Sequence, residues 1–201
     1  MTLIGASNMF ARGFATWAVA AGHKVTIVGP NRGSAEALAQ DVGAKRAAGR
    51  GDPLRDDVIF IALPYVCLRD VLESYDGKLD GKVVVDLITP FDLDTIEPIH
   101  PEAGSTAQEI ALAWPGARVV KAFNPRFAGA PFAAQSADRT RDVLLAADDA
   151  RAKRIVAQLL EESGLRAIDV GPLRRARELE AFGYLHLAVR QPLEAGFDAV
   201  G

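Results

Sequence analysis

Short runs of β-type apolar residues alternate with longer stretches of helical periodicity along this chain, and this alternation restricts the fold more than any other feature. Such an order is typical of parallel βαβ units, in which each helix crosses back over the sheet. The sequence therefore predicts one α/β domain over residues 1–201, with a doubly wound, mostly parallel sheet, additional C-terminal strands and a C-terminal helix.

The predicted strands are β-type runs, of which the third is the hardest to place: Thr2–Ile4, His23–Val28, Ala44–Ala48, Asp57–Leu63, Lys82–Ile88, Arg118–Phe123, Asp142–Ala146 and Leu165–Val170. The predicted helices between and after them are Phe14–Ala21, Ser34–Val42, Val66–Leu72, Asp149–Ser163 and Ala176–Val189. A further helix follows a proline-rich loop and begins at a capping pattern, either Ser105 with Gln108 or Thr106 with Glu109.

The composition excludes several classes of function. With 49% hydrophobic and 24% charged residues, the chain can bury a sizeable core. A net charge of −3, with both signs spread along the chain, gives no reason to expect nucleic acid or a membrane as a partner. The single cysteine, Cys67, suits a reducing compartment, and neither a signal peptide nor a long uncharged apolar run is apparent. We therefore expect a cytoplasmic protein.

The turn after the first strand carries the strongest local signal. Dinucleotide-binding folds place G-x-G-x-x-G here, because glycines permit a tight turn and a close approach of the backbone to the pyrophosphate. Gly5 fits the first position, Ser7 stands at the second, and the third is Phe10 or, with one inserted residue, Ala11. The turn thus indicates phosphate binding at the start of a helix, although an ordinary βα turn that binds nothing has the same appearance.

The end of the second strand bears on which cofactor would bind. An Asp or Glu there is typical of NAD sites, whereas NADP sites need neutral or basic residues. The segment 28–34 holds no acid, and Asn31, Arg32 and Ser34 are suited to a 2′-phosphate. These residues favour NADP over NAD, and the alternative is a solvated turn whose Arg32 faces water.

Segments spread over nearly the whole chain resemble the family of coenzyme F420-dependent NADP oxidoreductases. They read IGASNM, GHKVTIVG, DDVIFIALP, GKVVVDLITP, PGARVVKAFNP, DVGPL and ELEAFGYLHL. The resemblance implies a Rossmann-type domain that moves hydride between NADP(H) and a second redox partner. That partner is the deazaflavin F420 in the founding members, while related ferric reductases use a similar domain with a flavin.

The resemblance also implies site residues, carried over position by position. It places Gly5 in the phosphate turn and the pyrophosphate on Ala6, Ser7, Asn8 and Met9. It puts Asn31 and Arg32 near the 2′-phosphate, Pro64 and Leu68 on the adenosine side, and Pro90, Ala122 and Asn124 around the nicotinamide. The chain departs from the family at Ser7, where the family has glycine, in a loop that looks one residue longer through Phe10, and in Pro30-Asn31, where the family has Ser-Arg.

No catalytic acid or base is predicted, because hydride transfer between stacked rings requires proximity and orientation rather than a protein proton donor. His23 and His186 are interpreted as structural, and His100, in the proline-rich loop, is the only histidine placed near a possible substrate. Lys121 and Arg126 flank the nicotinamide strand and could attract an anionic substrate, unless Lys121 points outward. The acidic pairs 56–57 and 148–149 are interpreted as solvated turns, and no metal-ligand spacing is present.

Three hypotheses remain open from the sequence. The first is an NADPH-linked reductase of F420, a flavin or another small electrophile. The second is a drifted family member, in which Ser7 and Phe10 have altered the phosphate turn and the cleft binds a small molecule or performs non-redox chemistry. The third is an interaction module, supported only by the apolar helix Ala176–Val189, which serves equally well as a homodimer interface in the first hypothesis.

Overall fold

The computed structural model describes residues 1–6, 9–123 and 142–190 of the 201. Its strands are β1 (Thr2–Ile4), β2 (Thr26–Gly29), β3 (Arg46–Gly49), β4 (Val58–Ile61), β5 (Val83–Asp86), β6 (Arg118–Phe123), β7 (Asp142–Ala147) and β8 (Arg166–Gly171). Its helices are α1 (Met9–Ala20), α2 (Arg32–Val42), α3 (Leu68–Ser74), α4 (Thr106–Ala113), α5 (Ala150–Glu161) and α6 (Ala176–Arg190).

All eight strands form one sheet in the order β3-β2-β1-β4-β5-β6-β7-β8. The first six are parallel, β7 runs antiparallel to β6, and β8 is parallel to β7. The chain order reverses at β1, whose neighbours are β2 on one side and β4 on the other. This is the predicted doubly wound α/β fold with additional C-terminal strands and a C-terminal helix, and the prediction is confirmed.

Alternate residues of the strands build two apolar layers, one on each face of the sheet. Leu3, on one face, packs in the layer covered by α1, α2 and α5, whereas Ile4, on the other, packs in the layer beneath α3 and α4. Both faces of the central strands are therefore buried, which explains why those strands read as continuous apolar runs.

Three of the helices are capped at their N-termini by the polar residue that precedes them. The side chain of Asn31 accepts a hydrogen bond from Ser34 N, that of Ser105 from Gln108 N, and that of Asp149 from Ala152 N. Of the two predicted starts for α4, the structure has the one at Ser105.

Several predicted boundaries are wrong. Helix α1 begins at Met9 rather than Phe14, so that Phe10 lies in its first turn and not in a lengthened loop. Strand β2 begins at Thr26 rather than His23, since the chain turns after Gly22, where φ is +86°. Strand β3 lies at 46–49 rather than 44–48 and is partly exposed at the sheet edge, which accounts for its weak apolar pattern.

We predict that Gly5→Ala destabilises the protein severely. Gly5 has φ +142°, and a Cβ placed there would lie 1.9 Å from the carbonyl oxygen of Ala62. The expected loss in the free energy of unfolding is about 3 kcal/mol or more, measured by urea denaturation. Gly22→Ala is the matched control, because φ is also positive but no atom lies within 4 Å, so that only the backbone cost of about 1–2 kcal/mol applies. Equal losses in the two variants would contradict the steric account.

Candidate functional site

The carboxyl ends of β1, β2, β4 and β5 meet at one edge of the sheet, on either side of the point where the strand order reverses. In open α/β sheets, ligands bind in the crevice at this position. Two cavities lie here, and both are lined by Leu63 and Pro64 in the segment that follows β4.

Gly5 occupies the centre of this edge. Its N–H donates to the carbonyl oxygen of Val28 at 2.9 Å, and its missing Cβ allows the carbonyl of Ala62 to approach. The backbone at Gly5 is thereby held close to both neighbouring strands, shortly before the N-terminus of α1, where the helix dipole favours an anion. Ala6 is half-buried beside it, while Ser7 and Asn8 lie outside the described residues.

The larger cavity, of about 210 Å³, is mostly apolar. Phe10, half-buried in the first turn of α1, forms one wall. The remaining lining comes from the segments after β4 and β5, namely residues 62–65, 87–89, Phe91 and Leu93. The hydroxyl of Tyr65 donates to Glu109 Oε2 at 3.0 Å, and burial together with this carboxylate raises the pKa of Tyr65 to about 12. The cavity is thus a neutral, apolar pocket with a tyrosine at its edge.

The smaller cavity, of about 60 Å³, lies between the ends of β1 and β2 and the start of the segment leading into α3. Gly5, Ala6, Pro30 and Pro64 line it, as does Arg50, which follows β3. The sequence analysis missed Arg50, because only the pairing of β3 with β2 brings it to this edge. Its guanidinium donates to Asp70 at 2.7 Å.

Arg32 and Asn31, predicted for a 2′-phosphate, lie at the start of α2. The Asn31 side-chain oxygen already caps the helix, and Arg32 forms an ion pair with Asp52 at 2.9 Å. Both members of that pair are well exposed, so water screens the interaction and it contributes little stability. Asp52 was not considered from the sequence. It places an acidic side chain beside Arg32, although residues 28–34 themselves contain no acid.

Of the other predicted site residues that the structure describes, only some lie at the two cavities. Pro64 lines both cavities, but Leu68 is buried in the core and is not among the described residues that line either one. Ala122 is buried in the layer beneath α1 and α5, so only its backbone could face a ligand. Pro90 is buried in the loop after β5 and accepts a hydrogen bond from Ile99 N at 3.1 Å. Asn124 and Arg126 lie outside the described residues.

Lys121 does not face solvent, and the prediction that it could attract an anionic substrate is wrong. It is completely buried on β6, where its Nζ lies 2.8 Å from Asp86 Oδ2 and 2.8 Å from Glu180 Oε1 and also donates to Thr106 Oγ1 and the Ile88 carbonyl. Burial lowers the pKa of Lys121, but the two carboxylates outweigh it and raise the pKa above its ordinary value. The lysine is therefore charged and engaged within the protein.

The acidic pairs and the histidines have identifiable partners. The side chain of Asp56, only 17% exposed, accepts from Thr2 and Thr26; burial alone would raise its pKa, but these bonds and the N-terminal charge lower it. Since Asp149 caps a helix, the interpretation as solvated turns is wrong for Asp56 and Asp149, whereas Asp57 is exposed as expected. His23 lies 2.7 Å from Ser163 Oγ, as expected of a structural residue, and His100 is exposed.

Over residues 1–6, 9–123 and 142–190, no group of three or more His, Cys, Asp or Glu side chains could hold a metal ion. No helix in the same ranges has both the length and the apolar character needed to cross a membrane.

Comparison with known proteins finds similarity to NADP-linked oxidoreductases. The family described as NADP oxidoreductase, coenzyme F420-dependent, matches residues 1–90. The metalloreductase STEAP3 of Rattus norvegicus is 32% identical over 179 residues, covering 87% of this chain and 34% of the relative. The F420-dependent NADP reductase of Methanocaldococcus jannaschii is 30% identical over 131 residues, covering 62% of this chain and 58% of the relative. The chain thus spans only part of the length of these curated relatives.

Solved structures agree in fold. A hypothetical protein, SMa0349, from Sinorhizobium meliloti superposes with a TM-score of 0.74 at 26% identity, covering 86% of this chain and 84% of that one. A putative F420-dependent NADP reductase from Arthrobacter sp. FB24 superposes with a TM-score of 0.77 at 24% identity, covering 94% and 91%. The resemblance to the F420-dependent NADP oxidoreductase family predicted from the sequence is confirmed.

Proposed function

We propose that this chain, whose residues 1–90 match the family of coenzyme F420-dependent NADP oxidoreductases, is itself an NADP(H)-dependent oxidoreductase. It transfers hydride between NADPH and F420, a flavin or another small electrophile. The observation that carries the proposal is the pair of cavities that meet at Leu63 and Pro64, with Gly5 and the start of α1 beside them. An extended dinucleotide needs this arrangement: one pocket for each nucleoside and a helix N-terminus between them for the diphosphate.

The proposed contacts follow from the placement of the residues. The backbone amides from Ala6 to Met9 hold the diphosphate, and the smaller cavity takes the adenosine, with Arg50 at its rim. Asn31 and Arg32 receive the 2′-phosphate, for which Arg32 exchanges Asp52 for a stronger, charge-assisted bond. The nicotinamide then occupies the larger cavity, and Pro90, Ala122 and Asn124 stay proposed as its further contacts.

Within that site the chain's own residues bind, orient and exclude water. The bound nicotinamide supplies the hydride chemistry. Phe10, Tyr65 and Phe91 form apolar walls, which keep water away from a reactive ring and fix the plane in which it lies. Because no side chain need exchange a proton with a stacked hydride acceptor, these positioning effects account for the rate.

The second candidate, a drifted protein with non-redox chemistry, has one observation in its favour. Phe10, in the first turn of α1, lines the larger cavity, so an aromatic side chain borders the space that a nicotinamide would need. In that case the cleft would bind a small apolar molecule and no dinucleotide, a difference that titration with NADPH would reveal.

We predict that NADPH binds more tightly than NADH and that Arg32 is responsible. Arg32→Ala should weaken NADPH binding roughly ten- to hundredfold, as expected for about 1.5–3 kcal/mol from one charge-assisted bond, and leave NADH nearly unchanged. Asp52→Asn keeps the acceptor for Gly49 N but releases Arg32, and should strengthen NADPH binding by up to about fivefold.

Calorimetric titration with both nucleotides tests this expectation. Arg69→Ala is the matched control, because Arg69 is an exposed arginine in an ion pair on α3 and should leave both affinities unchanged. Equal affinities for NADPH and NADH in the parent protein would contradict the role of Arg32. Absence of NADPH binding would contradict the proposed function itself.

We also propose a homodimer formed in part through α6. Leu179 on this helix is buried, whereas Phe182 and Leu185 are 51% and 58% exposed, so the helix has apolar residues on more than its inner face. Light scattering at micromolar concentration should give twice the chain mass of 21.4 kDa. Phe182→Arg with Leu185→Arg should give the monomer, while Val66→Arg, at an exposed apolar residue elsewhere, should not. A monomeric parent protein would contradict the proposal.

A further inference from the structure

The smaller cavity contains one charged side chain, Arg50, and the proposed contacts give it no specific task. Among the described residues that line this cavity, Arg50 is the only charged one. The others are uncharged, namely 4–6, 28–30, 63, 64, Cys67 and Val71. A ligand in this cavity therefore meets one guanidinium group within walls that are otherwise apolar side chains and backbone.

The backbone that carries Arg50 is held in place on two sides. Its N–H donates to the carbonyl oxygen of Gly29 at 2.9 Å, which ties the turn after β3 to the end of β2. The next N–H, that of Gly51, donates to the hydroxyl of Tyr75 at 3.0 Å. Because Tyr75 is completely buried, this second contact joins the turn to the interior of the protein. The position of the Arg50 backbone is thus set by the fold.

The side chain of Arg50 extends along the cavity from β3 to α3. Its Nη1 donates to Asp70 Oδ2 at 2.7 Å. Gly29, which binds the backbone of Arg50, and Val71, which follows Asp70 on α3, both line the cavity. The arginine therefore connects two walls of the cavity. Its side chain is only 31% exposed, whereas that of Asp70 is 59% exposed.

The bond to Asp70 leaves the faces of the guanidinium available. The N–H donors of arginine lie in one plane, so a carboxylate binds at the edge of the group, while an aromatic ring stacks on its face. An anion would have to displace Asp70 before it could bind at that edge. A flat, neutral ring can instead stack on the face with the ion pair intact, and arginine commonly holds nucleic-acid bases in this way.

We propose that Arg50 stacks on the adenine ring of the bound nucleotide and that Asp70 is a positioning residue, which holds the guanidinium in the stacking orientation. The inference rests on the proposed function, since it takes the adenosine to lie in the smaller cavity. Recognition of the nucleotide is thereby divided between two arginines. Arg32 distinguishes NADPH from NADH through the 2′-phosphate, whereas Arg50 strengthens the binding of both, because both contain adenine.

Arg50→Ala should weaken the binding of NADPH and of NADH by the same factor, about five- to tenfold, in calorimetric titrations. Arg50→Lys keeps the charge but not the planar face, so it should restore little of this loss. Arg69→Ala, at an exposed, ion-paired arginine on α3, is the matched control and should leave both affinities unchanged. A loss confined to NADPH and restored by lysine would assign Arg50 to the 2′-phosphate and overturn the inference, as would unchanged affinities in Arg50→Ala.

The positioning role of Asp70 is tested by a double-mutant cycle with the same titrations. Asp70→Ala should weaken the binding of both nucleotides about two- to threefold in the parent protein and have no effect in Arg50→Ala, because it acts only through the guanidinium. A merely structural role in α3 would weaken binding equally in both backgrounds, and this result would contradict the positioning role.

The stacking contact itself is tested with 5′-AMP, which contains adenine but no nicotinamide and no 2′-phosphate. Isotope-filtered NMR of the labelled protein at millimolar 5′-AMP should show nuclear Overhauser contacts between the adenine protons and the δ-methylene group of Arg50. If 5′-AMP shows these contacts but NADPH transfers no hydride to F420, a flavin or another small electrophile, the proposed function fails and the inference stands. If NADPH binds and 5′-AMP lies away from Arg50, the inference alone is overturned. If neither nucleotide binds, both are overturned.

Discussion

The close approach of Gly5 to the carbonyl of Ala62 is the constraint on which the site depends. The ends of β1 and β4 come so near each other at the point where the strand order reverses that no side chain fits between them. Gly5 lies shortly before α1, which begins at Met9, so the helix starts at this edge of the sheet. The same contact brings the segment after β4, with Leu63 and Pro64, between the two cavities. The dinucleotide site that we propose at this edge would thus depend on backbone packing rather than on any polar side chain.

A second constraint lies on the face of the sheet that α3 and α4 cover, where Lys121 connects β5, β6, α4 and α6. Its ammonium holds Asp86, Thr106, Glu180 and the Ile88 carbonyl in one cluster. Removal of one member of such a buried cluster leaves uncompensated charge, so its cost is greater than that of an exposed pair such as Arg32–Asp52. The cluster holds the loop after β5 through the Ile88 carbonyl, and that loop lies between the larger cavity and a cavity of about 250 Å³ that Glu180 lines.

The features that depend on the local pattern of residues were predicted correctly from the sequence. Strands β1 and β6 have the predicted bounds, and the α/β class followed from the alternation of their apolar runs with helical stretches. The start of α1 was missed because Arg12 and Gly13 interrupt its apolar pattern, although both lie within the helix. Asp52, Arg50 and the burial of Lys121 were missed for a different reason. Arg32 and Asp52 are 20 residues apart, as are Arg50 and Asp70, and Lys121 and Glu180 are 59 apart, so that only the fold brings each pair together.

A crystal structure of the protein grown with NADPH tests the central claim most directly. The account predicts that the diphosphate lies against the backbone amides from Ala6 to Met9, with the adenosine beside Pro30 and Arg50 and the nicotinamide in the cavity bounded by Phe10. A Phe10 ring in the space of the diphosphate or nicotinamide, with no nucleotide bound at this edge, would contradict it and would favour the non-redox alternative.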